Sequence, residues 1–491
     1  MMRLTDYQWS RNPRGLHVQR ALITPLDYSR WSQPNFGWVK LVAAREEYVN
    51  DALDFMNMGI TPIVRLWRPR FGAAPFNAEL RALTDMYLNV GVKWFEFYNE
   101  PNLGVEWPEG FEPDWRNTAG VIVPLMENWL VWAEYIISRG GYPGFIPLAE
   151  SDNLPFAAIH WMDAFLNYMA QNRFERFQNV LANGMYVATH PYILNHFYQE
   201  VPGRGPTSVR QPLNQRAQEP GWHFEYPYDP FQQSLDPGRT VYGGTRLTPN
   251  GDPVGLIAMG RMFNERARAL FGTQAVPVVG TEGGIWPFPR QNGPAEQQDT
   301  RYPSYNHESH AEATVAMFEW IARQAPPWFF GVCLWKEDDY YYPEGGHARA
   351  IDRLREIPPI LKNVPAIDVM GEGFVPGFGP FVGPAPIHGQ ADFHMMILAP
   401  GLDSRFFFET AQGYWNVFRP VVVTDTNLIE FIPNDRSLAV TVISPPELVD
   451  TMTSLIQERY PNVFLDLVIS EDTSEIAALF NERARRGLRF G

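Results

Sequence analysis

The chain of 491 residues is about three times a typical domain length of roughly 150 residues, and an α/β barrel alone takes about 250, so one large domain with a small companion is expected. Hydrophobic residues at 45% and charged residues at 19% exclude a disordered or fibrous chain. The 55 acidic residues against 40 basic ones leave a net charge of -15, which repels nucleic-acid phosphates and anionic membrane surfaces, so neither is an expected partner.

The N-terminal residues MMRLTDYQWSRNPRG lack the apolar run of an export signal, and no stretch of 18 or more apolar residues follows. The expected location is cytoplasmic by default. Short β-branched and aromatic runs then alternate with helical patterns, the signature of βα units. Strands are expected at 15–18, 37–42, 61–67, 92–98, 144–149, 184–189, 276–280 and 329–335. Apolar residues at helical spacing predict helices at 44–58, 76–90, 121–138, 155–176, 254–270 and 308–323. Eight such units fit a (β/α)8 TIM barrel better than an open doubly wound sheet, because no GxGxxG fingerprint opens the first unit. No nucleotide or other cofactor is expected. The single cysteine, Cys333, excludes a disulfide framework and a Cys-rich metal site, and reads as a core residue of the last strand.

Connections 102–120 and 193–252 are long enough to be functional rim loops, and the second is rich in aromatic residues, including Trp222. Residues 363–390 turn Pro- and Gly-rich and predict a linker or extended arm after a barrel spanning 1–362. Residues 391–491 then read as a smaller C-terminal α/β domain, with strands at 393–398, 421–424, 438–443 and 463–469 and helices at 447–459 and 474–486. It carries no catalytic motif.

Barrel chemistry sits at the C-terminal ends of strands, and two carboxylates occupy such places: Glu100 after the fourth strand and Glu282 after the seventh. Facing carboxylates suit glycosidic bond cleavage, where one group protonates the leaving oxygen and the other stabilises the oxocarbenium-like transition state. A lone Glu at a strand end equally caps a helix or pairs with an Arg. No GxSxG elbow, HExxH pair or Walker loop offers a rival apparatus.

Asn99-Glu100-Pro101, Glu282, His190-Pro191-Tyr192 and Trp335 occur in the order found in the retaining glycoside hydrolases of clan A, which the chain resembles from residue 15 to about 362. The resemblance implies a retaining β-glycosidase acting on an oligo- or polysaccharide, with Glu100 as general acid/base and Glu282 as nucleophile. It further implies that Asn99 holds the sugar 2-hydroxyl, Tyr192 orients Glu282, His190 lines the site and Trp335 stacks beneath the sugar. The pattern departs at one point: the family's second-strand Arg is replaced by Lys40, and Arg65 falls on the third strand, where it could instead pair with Glu96.

Weaker candidates are His17 at the first strand's exit and the rim residues Trp67, Trp107, Trp222 and Trp286, which suit outer sugar subsites or packing. Glu150, Asp152 and the run Glu337-Asp338-Asp339 read as solvated loop charges, and no metal site is expected. Two other readings stay open: a catalytically silent carbohydrate-binding barrel, and a chain whose function lies in the C-terminal module.

Overall fold

The computed structural model describes residues 2–491 except 19–33, 44, 152, 194–196, 205–207, 226–229, 254, 274, 286–305, 342–347, 365–380, 382, 387–389, 401, 403–408, 410 and 433–435. The chain divides into two compact units, Met1–Asp368 and Val369–Gly491.

Among the described residues, eight parallel strands close the first unit into a barrel: β1 (Arg14–Val18), β2 (Trp38–Ala43), β3 (Thr61–Leu66), β4 (Trp94–Glu96), β5 (Tyr142–Phe145), β6 (Tyr186–Thr189), β7 (Val278–Ile285) and β8 (Phe329–Leu334). Each pairs with the next, and β8 closes on β1 with Val332 opposite Arg14 and Leu334 opposite Leu16. Helices stand between the strands: α1 (Val49–Asn57), α2 (Ala78–Asn89), α3 (Val123–Ser138), α4 (Ala158–Asn172), α5 (Phe174–Ala182), α6 (Ala258–Phe271), α7 (His307–Arg323) and α8 (Ala348–Glu356). The expected (β/α)8 architecture is thus present.

Local chemistry sets several boundaries. The Asn77 side chain accepts from Leu80 N to start α2, and Asn306 with Ser309 forms a reciprocal cap on α7. With the preceding turn, α3 makes a helix over Thr118–Ser138 whose length and hydropathy would suit a bilayer span, yet it buries Trp129, Leu130, Trp132 and Ala133 in the barrel core. The single helix expected over 155–176 is two, because Arg173 leaves the helical region at φ -139° and lets α5 turn its own apolar face, Phe177, Val180 and Leu181, inward. The fourth strand is shorter than its apolar run: Phe97 and Tyr98 are buried but leave the ladder to form the turn that carries Asn99 and Glu100. β5 starts two residues earlier than expected, at Tyr142.

Side chains two apart on a strand share a face, and this period builds layers inside the barrel. Trp38 and Trp94 form a T-shaped pair with ring centroids 5.1 Å apart, and Tyr142 and Tyr186 pack on Trp94 at 5.1 and 4.7 Å. Gly144 leaves space for this layer, since a Cβ there would lie 2.8 Å from the Tyr186 ring. Two residues further along the same strands come Lys40 and Glu96, both buried without exposure, so a dry aromatic floor supports a charged layer.

The second unit is a four-stranded parallel sheet in the order β10 (Val421–Val423), β9 (Phe393–Leu398), β11 (Leu438–Ser444), β12 (Phe464–Ile469), with helices α9 (Gln412–Phe418), α10 (Val449–Gln457) and α11 (Thr473–Arg486). Alternate strand residues feed two cores: Met395, Ile397 and Val440 on one face, Met396, Leu398 and Ile443 on the other. A buried polar chain crosses the second face. His394 Nε2 lies 2.8 Å from Thr441 Oγ1, Thr441 donates to Asp466 Oδ2 at 2.7 Å, and Arg483 donates to both Asp466 oxygens at 2.6 and 2.9 Å.

Removing one partner of such a pair strands a buried charge, which costs about 3–5 kcal/mol. Arg483→Met is expected to destabilise the second unit by that amount, measured by denaturant unfolding of the full chain.

Candidate active site

The charged layer opens at the C-terminal mouth of the barrel, and Glu282 is its centre. The seventh strand was expected to end before this residue, but β7 runs through it to Ile285, because Gly284 and Ile285 pair with Tyr192 and Ile193. The β7–β8 register shifts between Gly280 and Gly283, an irregularity that re-aims the intervening Thr281 and Glu282. Gly283 and Gly284 take φ of +149° and +93°, and a Cβ on Gly283 would lie 2.5 Å from Pro191 O. The glycines therefore let the Glu282 backbone lie directly against the His190–Tyr192 turn.

Three strands and a turn converge on the Glu282 carboxylate, which is 3% exposed. Its Oε1 accepts from Lys40 Nζ at 2.9 Å and Arg65 Nη1 at 2.8 Å, and its Oε2 accepts from the Tyr192 hydroxyl at 3.0 Å. His17 Nε2 stands 3.4 Å from Oε1. Burial by itself would raise the Glu282 carboxyl, but the Lys40 charge and the neighbouring His190 and His17 rings outweigh it and hold the group well below the usual carboxylate range. Burial pushes His17 down to about 4, so its ring is neutral near neutral pH.

The departure at Lys40 is resolved by these contacts. The expected strand positions hold, with Lys40 on β2 and Arg65 on β3, and Arg65 is in ladder register with Glu96. The longer Arg65 side chain nevertheless reaches past its neighbour to Glu282 and to Asn99 Oδ1, while Lys40 Nζ takes Glu96 Oε2 at 2.8 Å. Both cations support Glu282, so the Arg65–Glu96 pairing is set aside.

Glu100 is positioned by a tight turn. It takes φ +36°, its N–H donates to Pro147 O at 3.1 Å, and its carbonyl accepts from Leu103 N at 2.9 Å. Asn102 clamps this turn to the loop after β5: its amide donates to Ala149 O and Phe156 O at 2.9 Å each, and its Oδ1 accepts from Ala149 N at 3.0 Å. The Glu100 carboxyl, 16% exposed, lies with Oε1 2.7 Å from His190 Nδ1. Among the described residues no Lys or Arg lies within ion-pair distance of it. Glu100, His190 and Glu282 thus come together, each offering an atom within 4.8 Å of the others. That donor set has the spacing of a cation site, but Glu282 Oε1 already faces two cations, and a divalent ion there would have to displace them.

Glu106 is a site residue that sequence reasoning missed. It ends a short turn (Gly104–Glu106) in the first rim loop, and its Oε1 accepts from Asn99 Nδ2 at 2.7 Å. Burial raises its carboxyl, and the Asn99 hydrogen bond and Arg65 oppose the shift. No motif in this loop announces such a contact; only the loop's length pointed to the rim.

The Trp335 ring lies 4.5 Å from His17 and 6.4 Å from Tyr192, between centroids, at the edge of the same constellation. Trp286 lies outside the described residues, as does Asp152. Trp107 and Trp222 are buried, with their Nε1 groups donating to Pro101 O at 2.7 Å and Arg216 O at 3.0 Å, so they pack the rim loops, whereas Trp67 is 39% exposed. Of the charges expected to be solvated, two are buried and one is half-buried. Glu337 and Asp339 are 5% and 3% exposed in the short helix Glu337–Tyr341, and Glu150 Oε1 is shielded from water. Burial, then Asp252, Glu100 and Glu225, raise the Glu150 carboxyl well above its ordinary value.

No protein-family model and no curated protein matches this chain. Among solved structures it is similar to a curdlan-specific exo-beta-1,3-glucanase from Blastomyces gilchristii in complex with glucose, at TM-score 0.36 and 12% identity over 71% of this chain and 100% of the other. A D-psicose 3-epimerase aligns at TM-score 0.29 and 9% identity, over 63% of this chain and 98% of the other. A family 5 xyloglucanase from Paenibacillus pabuli aligns at TM-score 0.29 and 11% identity, over 70% of this chain and 99% of the other. The barrel itself is established by the strand pairings of this chain.

Asn102→Ala deletes three buried hydrogen bonds at about 1 kcal/mol each. It is expected to lower stability by about 3 kcal/mol and loosen the Glu100 turn, read as faster amide hydrogen exchange at Ala149 and Glu100.

Proposed function

We propose that the chain is a retaining β-glycosidase acting on a neutral β-linked oligo- or polysaccharide, with residues 1–362 as the catalytic barrel. The carrying observation is that carboxyl oxygens of Glu100 and Glu282 lie within 4.8 Å of each other. Retaining glycosidases hold their carboxyl groups about 5–5.5 Å apart, against about 6.5–9.5 Å where a water must fit between them. The two environments differ in the sense the chemistry needs. Glu282 is backed by Lys40 and Arg65, as befits an anionic nucleophile, while Glu100 faces a histidine and is the more exposed of the two.

In the first half-reaction Glu100 gives its proton to the glycosidic oxygen, the C1–O bond breaks, and a Glu282 oxygen bonds to C1. In the second, Glu100 takes a proton from water as that water's oxygen attacks C1, and the bond to Glu282 breaks. Tyr192, bonded to Glu282 Oε2, orients the nucleophile and leaves the attacking lone pair defined. Asn99 keeps one N–H beyond its bond to Glu106, and that donor is suited to the sugar 2-hydroxyl, a contact that strengthens in the transition state. His190 and His17 line the pocket, and Trp335 supplies an apolar face for the sugar ring. We further propose that residues 391–491 form an accessory domain; most of the intervening 363–390 lies outside the described residues.

Glu100→Gln and Glu282→Gln are each expected to reduce kcat by at least about 10²–10⁴-fold on aryl β-glycosides or β-glycans, with proton NMR showing the β-anomer first in the wild type. The α-anomer first would overturn the retaining mechanism, and glycan binding without turnover would establish the silent binding barrel instead. Glu106→Ala is expected to lower kcat by about 10- to 100-fold with a smaller change in KM, because it releases Asn99 from the orientation needed in the transition state.

A further inference from the structure

We propose that Lys40 is a positioning residue that couples the two carboxylates: its ammonium holds Glu282 as an anion and places the ring proton of His190 on the nitrogen that faces Glu100. This goes beyond the glycosidase reading and rests on it for the effect on turnover.

Lys40 is fully buried at the centre of the charged layer. Its Nζ lies 2.9 Å from Glu282 Oε1, 2.8 Å from Glu96 Oε2 and 3.5 Å from both His190 Nε2 and Thr281 Oγ1. An ammonium has three donors and no acceptor, so a group at 3.5 Å is favoured when it turns a lone pair toward it. His190 Nε2 is therefore the unprotonated nitrogen of the neutral ring, and the proton sits on Nδ1, donated to Glu100 Oε1 2.7 Å away. With Oε1 engaged as an acceptor, the proton that Glu100 delivers resides on Oε2, the oxygen left for the leaving group.

The groups facing Glu282 come from each element around it. His17 stands on β1, Lys40 on β2, Arg65 on β3, Glu100 and Glu106 in the turns after β4, and His190 and Tyr192 after β6; Glu96 on β4 faces it through Lys40. Arg65 alone would leave one cation for two buried carboxylates, Glu96 and Glu282. Lys40 brings this inner layer to two positive and two negative charges. Without it, burial acts on Glu282 against one cation fewer, and the carboxyl titrates at higher pH. A nucleophile must be ionised to attack, so the acidic limb of kcat/KM follows it upward.

The test compares the wild type with Lys40→Met and with the double variant Lys40→Met/Glu96→Gln, which removes the carboxylate that the single variant strands. The expected result is an upward move of the acidic limb by about 1–3 pH units in both variants. Infrared difference titration against Glu282→Gln reads the protonated C=O band of Glu282 directly and is expected to move equally. Nitrogen NMR of labelled histidine is expected to show His190 protonated on Nδ1 in the wild type and a mixed tautomer in the variants. An unmoved Glu282 band in the folded double variant, or a wild-type His190 protonated on Nε2, would overturn the proposal. Absence of turnover in the wild type leaves both spectroscopic readouts intact and counts against the glycosidase reading alone.

Discussion

The structure turns on one electrostatic constraint, a layer of buried charge inside the barrel that must be neutral to exist. Glu96 and Glu282 face Lys40 and Arg65 in a buried layer, and a buried ion left without its partner costs several kcal/mol. The four side chains come from four strands, so strand register and charge balance fix each other. A slip of one residue on any of these strands would turn its charge out of the barrel interior and leave the others unpaired.

The surrounding architecture serves this layer. Below it, Trp38, Trp94, Tyr142 and Tyr186 close the barrel floor with apolar surface, which lowers the local dielectric and strengthens each ion pair. Above it, the turns after β4 and β6 bring Glu100 and His190 to the same mouth, pinned by Asn102 on one side and by the glycines beside Glu282 on the other. The result is an asymmetric pair of carboxylates, one held by two cations and one by a histidine. That asymmetry, rather than the mere presence of two acids, is what suits the pair to acid and nucleophile roles.

The barrel was legible because its signal is periodic. The strand β8, Phe-Phe-Gly-Val-Cys-Leu, is a continuous apolar run, as befits a parallel strand buried on both faces. The places where periodicity misled are those where the backbone leaves its ladder: Phe97 and Tyr98 continue an apolar run but belong to a turn, and β7 continues through Thr281-Glu282-Gly283 although its sequence reads as a strand end. Half-buried Glu150 and buried Glu337 and Asp339 misled in the opposite direction. Acidic residues in loops are solvated on average, whereas here Glu337 and Asp339 are buried and Glu150 Oε1 is shielded, which no local pattern announces.

By itself the sequence determined the fold class, the strands that carry Glu100, His190 and Glu282, and the placing of these residues at one end of a barrel, because a period of two and the parallel direction of the strands dictate both. It also placed Lys40 on β2 and Arg65 on β3. Only the tertiary structure decided what those cations do. Ladder register sets Arg65 beside Glu96, but side-chain length and direction across the barrel interior send Arg65 to Glu282 and Asn99 and give Glu96 to Lys40. Contacts across the barrel join residues far apart in the chain, Lys40 and Glu282 being separated by 242 positions, and no local pattern encodes which of several charges will meet there.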